Sequence, residues 1–407
     1  MEESALKSQI ESSFLKLKSY CEAEKFAGWD PYDGLNSKIF NALPLKHWDV
    51  ARLAWIQGFK RSPINFRKLL LVPKQYNAKG VGLFLLGYCN LYELTLKGNS
   101  EFGTTEDLLS KIRELANLLD DLKSSSYSGA CWGYNFDWQS RRSFLFPAFT
   151  PTVVATAFCV EALFKAYELT NEERYKNLAL TSANFVIQDL NRTPYRSGFL
   201  FSYSPLDGNN LVFNASLLGA KILSLCYKYS KNKDYKKLAE QAVRAACDGQ
   251  SEDGSWVYGM LPTQSWIDSF HTGYNLDAIS VYQNCTSDKQ FSLNLEKGFV
   301  YYIAKFFKND GTPKYFNNKT HPIDVHCPGQ LFVTISKLGQ FNSHKKLVDL
   351  VANWATANMQ SKKGYFYYQI KKRLSSKIPY MRWSNAFMFN ALTFYIKEYK
   401  SLWNQRS

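Results

Sequence analysis

From residue 150 onward, the apolar positions of this chain fall into two alternating patterns. One is a helix-length run that is apolar nearly all round, at 150–169, 210–229, 267–282, 323–338 and 382–399. The other is one-sided, at 172–190, 234–247, 293–307 and 345–359. In the last of these, Leu347, Leu350, Val351, Trp354 and Ala355 form a stripe at helical spacing with charges opposite. A helix apolar on every side must be enclosed by protein, whereas a one-sided helix keeps a wet face. The alternation therefore predicts inner helices ringed by outer ones.

A short turn of the form Gly-x-aromatic, with a Tyr close by, recurs five times. The glycines are Gly129, Gly198, Gly254, Gly311 and Gly364, at intervals of 69, 56, 57 and 53 residues. Each interval holds one helix of each kind, which is the signature of a repeat architecture. The N-terminal third is less regular. It predicts an amphipathic helix at 6–23, a helix near 48–59, a Pro- and Arg-containing link at 61–73, an apolar helix at 81–96 and an amphipathic one at 105–123. The sum is six helix pairs and a spare helix, with strand signals confined to the aromatic turns. No low-complexity linker divides residues 1–407, so the expectation is a single all-α domain, an (α/α)6-type toroid. A two-layer helical solenoid is the other way to stack such units.

Composition changes this picture in two respects. Aromatic residues reach 16%, with 26 Tyr, 29 Phe and 10 Trp, enough to line a site as well as a core. The net charge of +15 points to an anionic partner such as an acidic polysaccharide, a nucleic acid or a membrane surface, or to a lysine-rich wet exterior. The eight cysteines are scattered without a CxxC pair, several within apolar helices, which suits reduced, buried thiols. The first twenty residues form an amphipathic pattern rather than an apolar signal core, and no run reaches the length of a membrane span. These features predict a cytoplasmic protein with no transmembrane segment.

In a toroid the inner helices all begin at one end. Their N-termini and the aromatic turns before them make one concave face that favours anions. That face collects Trp29, Asp30, Tyr32 and Asp33; Trp132, Tyr134, Asp137, Trp138 and Arg141; Asp268, His271, Tyr274 and Asn275; Asp324, His326 and Gln330; and Tyr380, Arg382 and Trp383. Asp268 with His271 and Asp324 with His326 stand 14 and 13 residues after their glycines, so one pair echoes the other. Helix capping accounts for an Asp at such a place. It does not account for the histidines or for Arg382 beside Trp383.

Glycan cleavage needs two carboxylates across the scissile bond, for which Asp137, Asp268 and Asp324 are available. Elimination or epimerisation of a uronate needs a His or Tyr base and an Arg, for which His271, His326, Tyr274 and Arg382 serve. Asp324, His326, Cys327 and His271 could hold zinc, but no metal-ligand spacing supports it. The P-loop, GxGxxG and kinase patterns are absent, so no nucleotide cofactor is expected.

Several segments resemble a family of bacterial exopolysaccharide- and capsule-cluster proteins. They are Trp29-Asp-Pro-Tyr-Asp-Gly-Leu-Asn36, Trp132-Gly-Tyr-Asn-Phe-Asp-Trp-Gln-Ser-Arg141, Thr150-Pro-Thr-Val-Val-Ala155, Ile323-Asp-Val-His326 and Met381-Arg-Trp-Ser-Asn385. The resemblance implies a toroid of the squalene-cyclase or prenyltransferase-like kind, serving surface polysaccharide production. The architecture is also similar to that of six-hairpin glycosidases, unsaturated-uronyl hydrolases, polysaccharide lyases and glucuronyl epimerases. It transfers no catalytic residue.

The leading expectation is a carbohydrate-active enzyme working on an acidic or lipid-linked oligosaccharide, by hydrolase, lyase or epimerase chemistry, in contact with polysaccharide assembly machinery and not with nucleic acid. Asp268 and Asp324 would be acid/base carboxylates, with His271 and His326 as their partners or as bases, and Asp137 a further acid. Arg141 and Arg382 would hold the anionic group. Trp132, Trp138 and Trp383 would be stacking floors, with Tyr134, Tyr274, Asn275 and Gln330 also binding. The rival readings are a non-catalytic glycan-binding or assembly protein and an isoprenoid cyclase. For the last, Asp120-Asp121 lacks the third Asp such enzymes need.

Overall fold

The computed structural model describes residues 3–139, 145–208 and 210–404. In chain order the helices are α1 (Glu3–Ala23), α2 (Lys38–Ala42), α3 (Asp49–Arg61), α4 (Ala78–Leu96), α5 (Thr105–Asp121), α6 (Val153–Thr170) and α7 (Glu173–Asn184). There follow α8 (Phe213–Ser230), α9 (Lys233–Asp248), α10 (Ser269–Thr286), α11 (Ser292–Phe306), α12 (His326–Lys337), α13 (Lys345–Met359) and α14 (Phe387–Asn404). Three two-stranded antiparallel ladders join them: β1 (Trp138–Gln139) with β2 (Leu145–Phe146), β3 (Arg192–Tyr195) with β4 (Gly198–Phe201), and β5 (Ile323–Asp324) with β6 (Gln369–Ile370).

The all-round apolar helices form a closed inner ring. α4 packs on α6, α6 on α8, α8 on α10, α10 on α12, α12 on α14, and α14 back on α4. The one-sided helices α5, α7, α9, α11 and α13 each pack outside their preceding inner helix. The sixth outer position is filled from the other end of the chain: α1 packs against α13 and α14. The fold is the all-α (α/α)6 toroid that the hydrophobic pattern predicts, with α3 as the spare helix. The last inner segment departs from expectation by opening with a π-helical turn at Met381–Ala386 before α14 begins.

The recurring glycines are architectural. A Cβ at Gly129, Gly198, Gly254, Gly311 or Gly364 would collide with the backbone carbonyl of Thr181, Gln241, Lys297, Leu350 or Lys16 respectively. Those carbonyls belong to α7, α9, α11, α13 and α1, the outer helix one place round the ring each time. Only glycine lets the aromatic turn lie this close to that helix. The contact of Gly364 with α1 closes the circle.

The barrel axis is filled. Lys221 of α8 is fully buried and bonds Glu161 of α6 at 2.7 Å and Asp277 of α10 at 2.5 Å. Lys337 of α12 bonds the same two carboxylates, reaching Asp277 at 2.9 Å. Glu161 and Lys337 sit on helices at opposite points of the ring, so their bond crosses it. Burial pushes Asp277 up, yet the two lysines hold it below the usual carboxylate range. The eight cysteines are unpaired thiols, seven buried and Cys285 half-buried. No described helix is long and apolar enough to cross a membrane.

Removing one cation from a buried cluster strands its carboxylates in a poorly solvated place, at a cost of about 3–5 kcal/mol. Lys221→Met should lower the unfolding free energy by that order in urea titration, and a Lys221→Met/Asp277→Leu double variant should recover part of the loss. A neutral single variant would show that the cluster is not what closes the axis.

Candidate functional site

The N-terminal ends of the inner helices carry two Asp–His pairs. Asp268 is the N-cap of α10, and its Oδ1 accepts the backbone N–H of His271 at 3.0 Å. Its Oδ2 lies 2.7 Å from His271 Nδ1 and accepts the indole N–H of Trp266 at 2.9 Å. The capping geometry thus places the third residue of the helix beside the cap, and an imidazole there reaches back to the same carboxylate. Asp268 is buried, while the His271 side chain keeps 21% of its surface exposed. The Tyr258 and Phe270 rings enclose it, 4.6 and 4.3 Å away between centres.

The second pair is more enclosed. Asp324 lies on β5 opposite Gln369 of β6, whose side-chain amide donates to its Oδ2 at 2.7 Å. Its Oδ1 accepts the His326 backbone N–H at 3.0 Å and the Trp383 indole N–H at 2.9 Å. His326 Nδ1 stands 3.4 Å from that oxygen, within ion-pair distance but without a hydrogen-bond partner. The imidazole packs against Phe387 at 3.9 Å, Trp383 at 4.4 Å and Phe270 at 5.1 Å. Burial lowers the His326 pKa to about 4, against the pull of Asp324, so the ring is neutral near pH 7.

Below and beside these pairs lies a buried ion network. Arg382, on the π turn, makes two bonds to Asp30, Nε to Oδ2 at 2.5 Å and Nη2 to Oδ1 at 2.8 Å. Arg67 bonds Asp33 at 2.6 Å, the Asp30 carbonyl at 2.7 Å and the Tyr380 hydroxyl at 3.0 Å. The guanidinium of Arg382 lies over the rings of Tyr134 and Trp383, 4.9 and 5.0 Å from their centres.

Next to this network stands a lysine that sequence reasoning overlooks. Lys79, on the first turn of α4, is buried, and its Nζ donates to the Tyr274 hydroxyl at 3.3 Å. It lies 4.3 Å from the centre of the Phe158 ring and 5.7 Å from that of Phe387, the ring on which His326 rests. Among the described residues no carboxylate pairs with it. Desolvation, reinforced by the charge of Arg382, drives its pKa well below that of an ordinary lysine. Its bond to Tyr274 joins α4 to α10, at opposite points of the ring.

The remaining expectations fall out unevenly. Asp268 and Asp324 are not open carboxylates, because both are buried and each of their oxygens already accepts a hydrogen bond; Asp268 orients His271. Arg382 is not waiting for an anionic substrate, because Asp30 already holds its fork. Trp132 is no stacking floor: it is fully buried in the main core, with its indole N–H on the Leu119 carbonyl at 2.7 Å. Trp383 is half-buried, its edge held by Asp324. Asp137 accepts the Ala148 N–H at 2.7 Å and braces the base of its loop, and no interaction among described residues joins it to either Asp–His pair. Arg141 lies outside the described residues. Tyr134 stacks on Phe136 and meets the Tyr203 hydroxyl, and Trp138 packs edge-on to Tyr32. Tyr274 contacts His271, Phe270 and Lys79 together. Asn275 is buried with its Oδ1 unpartnered, and Gln330 bonds Thr334 along its own helix. Among the described residues no three His, Cys, Asp or Glu side chains gather as metal ligands would.

The likeness to solved structures runs to sugar-handling proteins. The chain is similar to a cellobiose 2-epimerase from Bacillus thermoamylovorans, with 12% identity and a TM-score of 0.60, over 79% of this chain and 88% of that one. An unsaturated glucuronyl hydrolase specific for heparin matches at 11% identity and a TM-score of 0.60, over 98% and 99%. A D-mannose isomerase matches at 11% and 0.56, over 79% and 87%. At these identities the likeness is one of fold, the (α/α)6 toroid. No protein-family model matches the sequence, and no curated protein matches it either.

Lys79 escapes notice in the sequence because the apolar pattern of its helix starts two residues later, at Val81. The signal is there in retrospect, as a lysine inside the run Ala78 to Leu86 that is otherwise free of charge.

A histidine whose folded pKa lies below its unfolded value stabilises the fold above the unfolded pKa and loses that contribution as pH falls. For His326 the window runs from about 6.5 down to about 4, and the loss is about 3 kcal/mol. Asp33, which burial pushes up to about 6 against the pull of Arg67, acts in the opposite sense between about pH 4 and 6. The His326 contribution should therefore emerge as the difference between the wild-type and His326→Phe stability profiles; parallel profiles would refute it. For Lys79, replacing a buried amine that lacks a carboxylate with an apolar side chain of similar length should raise stability by about 1–3 kcal/mol. Lys79→Met should therefore melt later than wild type in calorimetry, and an earlier transition would mark the lysine as structural.

Proposed function

We propose that this protein is a sugar epimerase or isomerase, moving a proton at the carbon beside the carbonyl of a glycan's reducing end. The observation that supports this most directly is the convergence of two imidazoles, each beside a carboxylate, on one ring, that of Phe270. An imidazole whose Nδ1 faces a carboxylate is held in one orientation and keeps Nε2 for proton transfer. Hydrolysis receives less support, since it needs a carboxyl group open to the leaving oxygen, and Asp268 and Asp324 are buried and hydrogen-bonded.

With the sugar ring open, one imidazole takes the C2 proton. The C–H electron pair becomes the C1=C2 bond, and the carbonyl pair moves onto O1 as an enediolate. A proton returned to the opposite face of C2 restores the C1 carbonyl and gives the epimer; one added at C1, with the O2 proton passing to O1, forms the C2 carbonyl and gives the ketose. The developing negative charge needs a donor in a site of low polarity. Lys79, with Tyr274 beside it, is the donor group of this site that no carboxylate already occupies. An anionic oxygen there would supply the partner that the lysine lacks. This supports a substrate that is acidic or becomes anionic during reaction. The resemblance to exopolysaccharide- and capsule-cluster proteins supports a cytoplasmic setting in surface polysaccharide production, with a lipid-linked or acidic oligosaccharide as the working substrate.

The reaction leaves an isotopic trace. Reducing disaccharides ending in gluco, manno or glucurono units, incubated with the enzyme in D2O, should acquire deuterium at C2 by NMR. His271→Asn and His326→Asn should each slow that exchange by about 10²–10⁴-fold. Lys79→Met should also slow it while remaining folded. Exchange at the wild-type rate in a His271→Asn/His326→Asn double variant would sink the assignment, as would cleavage of a glycan with no exchange at all.

A further inference from the structure

Outside the cleft, one segment does not look like the surface of a soluble helical ring. Residues 41–50 are all exposed, and among them Trp48 and Val50 show 64% and 80% of their surface. The link that follows exposes Ile64, Leu69 and Leu71 at 61%, 72% and 53%. The two stretches are joined at their bases, where Ser37 Oγ donates to the Leu70 carbonyl at 2.6 Å and Lys38 N–H to that of Leu71 at 3.3 Å. Between Ser37 and Lys74 the sequence holds eight Lys and Arg residues and a single acidic residue, Asp49. Arg67 is buried on Asp33, Arg52 pairs with Asp49 and Lys74 with Glu24, and Lys38, Lys46, Lys60, Arg61 and Lys68 have no carboxylate partner among the described residues. The 371–377 loop adds four more basic residues around Leu374, itself 61% exposed, and its Lys371 reaches the Arg61 carbonyl at 3.2 Å. Lys371 has its pKa lowered by burial and then by the nearby charges of Arg61 and Lys60, so cations crowd here without enough counter-charge.

Large apolar side chains standing clear of the surface, ringed by lysine and arginine, are the makings of a segment that lies in a bilayer interface. Trp48 suits the headgroup level, and the basic residues suit the negative potential of an anionic leaflet. Pairing with a second copy of the chain would bury the same apolar side chains but would press two strongly basic patches together, which like charges oppose. We propose that this lip, formed by α2, the start of α3 and the 62–72 link, docks the protein on an anionic membrane surface.

The lip adjoins the mouth. Its own small core of Leu35, Phe40 and Ile56 packs on Tyr32 and Trp138. Lys60 donates to the Tyr32 hydroxyl at 2.6 Å, and Arg52 to the Gln139 side chain at 2.8 Å. Tyr32 in turn touches Trp383, the indole bonded to Asp324. Docking would therefore set the cleft against the bilayer, where a lipid-borne glycan lies. The surface stands on its own observations, whatever chemistry the cleft performs.

The test is flotation of the full-length protein with phosphatidylcholine vesicles, with and without phosphatidylglycerol. Binding should require the anionic lipid and weaken as salt is raised. Trp48→Ser/Leu69→Ser and, separately, Lys46→Glu/Lys68→Glu should each weaken it by about tenfold or more. None of the four side chains touches the Asp–His pairs, and all are exposed, so the melting transition and the C2 exchange rate should stay at wild-type values. The proposal fails if anionic vesicles do not bind. It fails equally if both variants bind as wild type does, or if light scattering shows a dimer that Trp48→Ser/Leu69→Ser converts to monomer.

Discussion

The bond between Arg382 and Asp30 joins residues at opposite ends of the chain, and much of the mouth depends on it. Asp30 belongs to a loop that precedes the spare helix, and Arg382 to the π turn that opens the last inner helix. Two buried charges of this kind are costly to desolvate, and a hydrophobic pair of similar volume would often hold the ring as firmly. What the pair adds is a fixed electrostatic setting. Arg382 remains a cation, and its charge helps depress the pKa values of both Lys79 and His326. The same pair that fastens the first loop to the last inner helix thus adds to the desolvation that disfavours charge on Lys79 and His326.

The architecture was legible in the sequence because it rests on periodicity. Six helices apolar all round and six apolar on one side cannot satisfy both patterns except as nested layers, and five glycines at near-regular intervals mark where each turn meets the next outer helix. The place of α1 is set by ring closure instead: its stripe lacks an inner partner near it in sequence, and it fills the sixth outer position against α13 and α14. The Asp–His echo was visible for the same reason: it recurs at one register in consecutive units. What could not be read is any property set by partners from distant units. Arg382 looks like a substrate clamp until Asp30, 352 residues away, is seen to fill it. Lys79 looks like the ragged start of a helix until the ring closes around it.

The carboxylates show why residue type alone misassigns roles. An Asp before a helix has the first-turn N–H groups as ready donors, so it is satisfied locally before any substrate arrives. Asp268 is such a cap, and Trp266 and His271 take what remains of it. Asp324 is matched by strand pairing, which brings the Gln369 amide to it, and by the π turn, which brings the Trp383 indole. Carboxylates with both oxygens engaged act through the groups they hold. Under the proposed chemistry the reactive nitrogen would belong instead to the imidazoles beside them, whose faces rest on aromatic rings.

The filled axis bears on what the cleft can accept. Lys79 and Tyr274 bridge the ring near its mouth, and Glu161 and Lys337 bridge it again deeper in. A barrel crossed twice by buried polar bonds is a dead end rather than a passage, so a polymer cannot thread it. In the proposed reaction the substrate would come in as a chain terminus, from the end at which the inner helices begin. Proton transfer beside an aldehyde likewise requires a terminus, because only the reducing end of a glycan opens to a carbonyl. The closure of the axis, which follows from packing inner helices with charged residues turned toward one another, and the proposed proton transfer would therefore call for the same feature of the substrate.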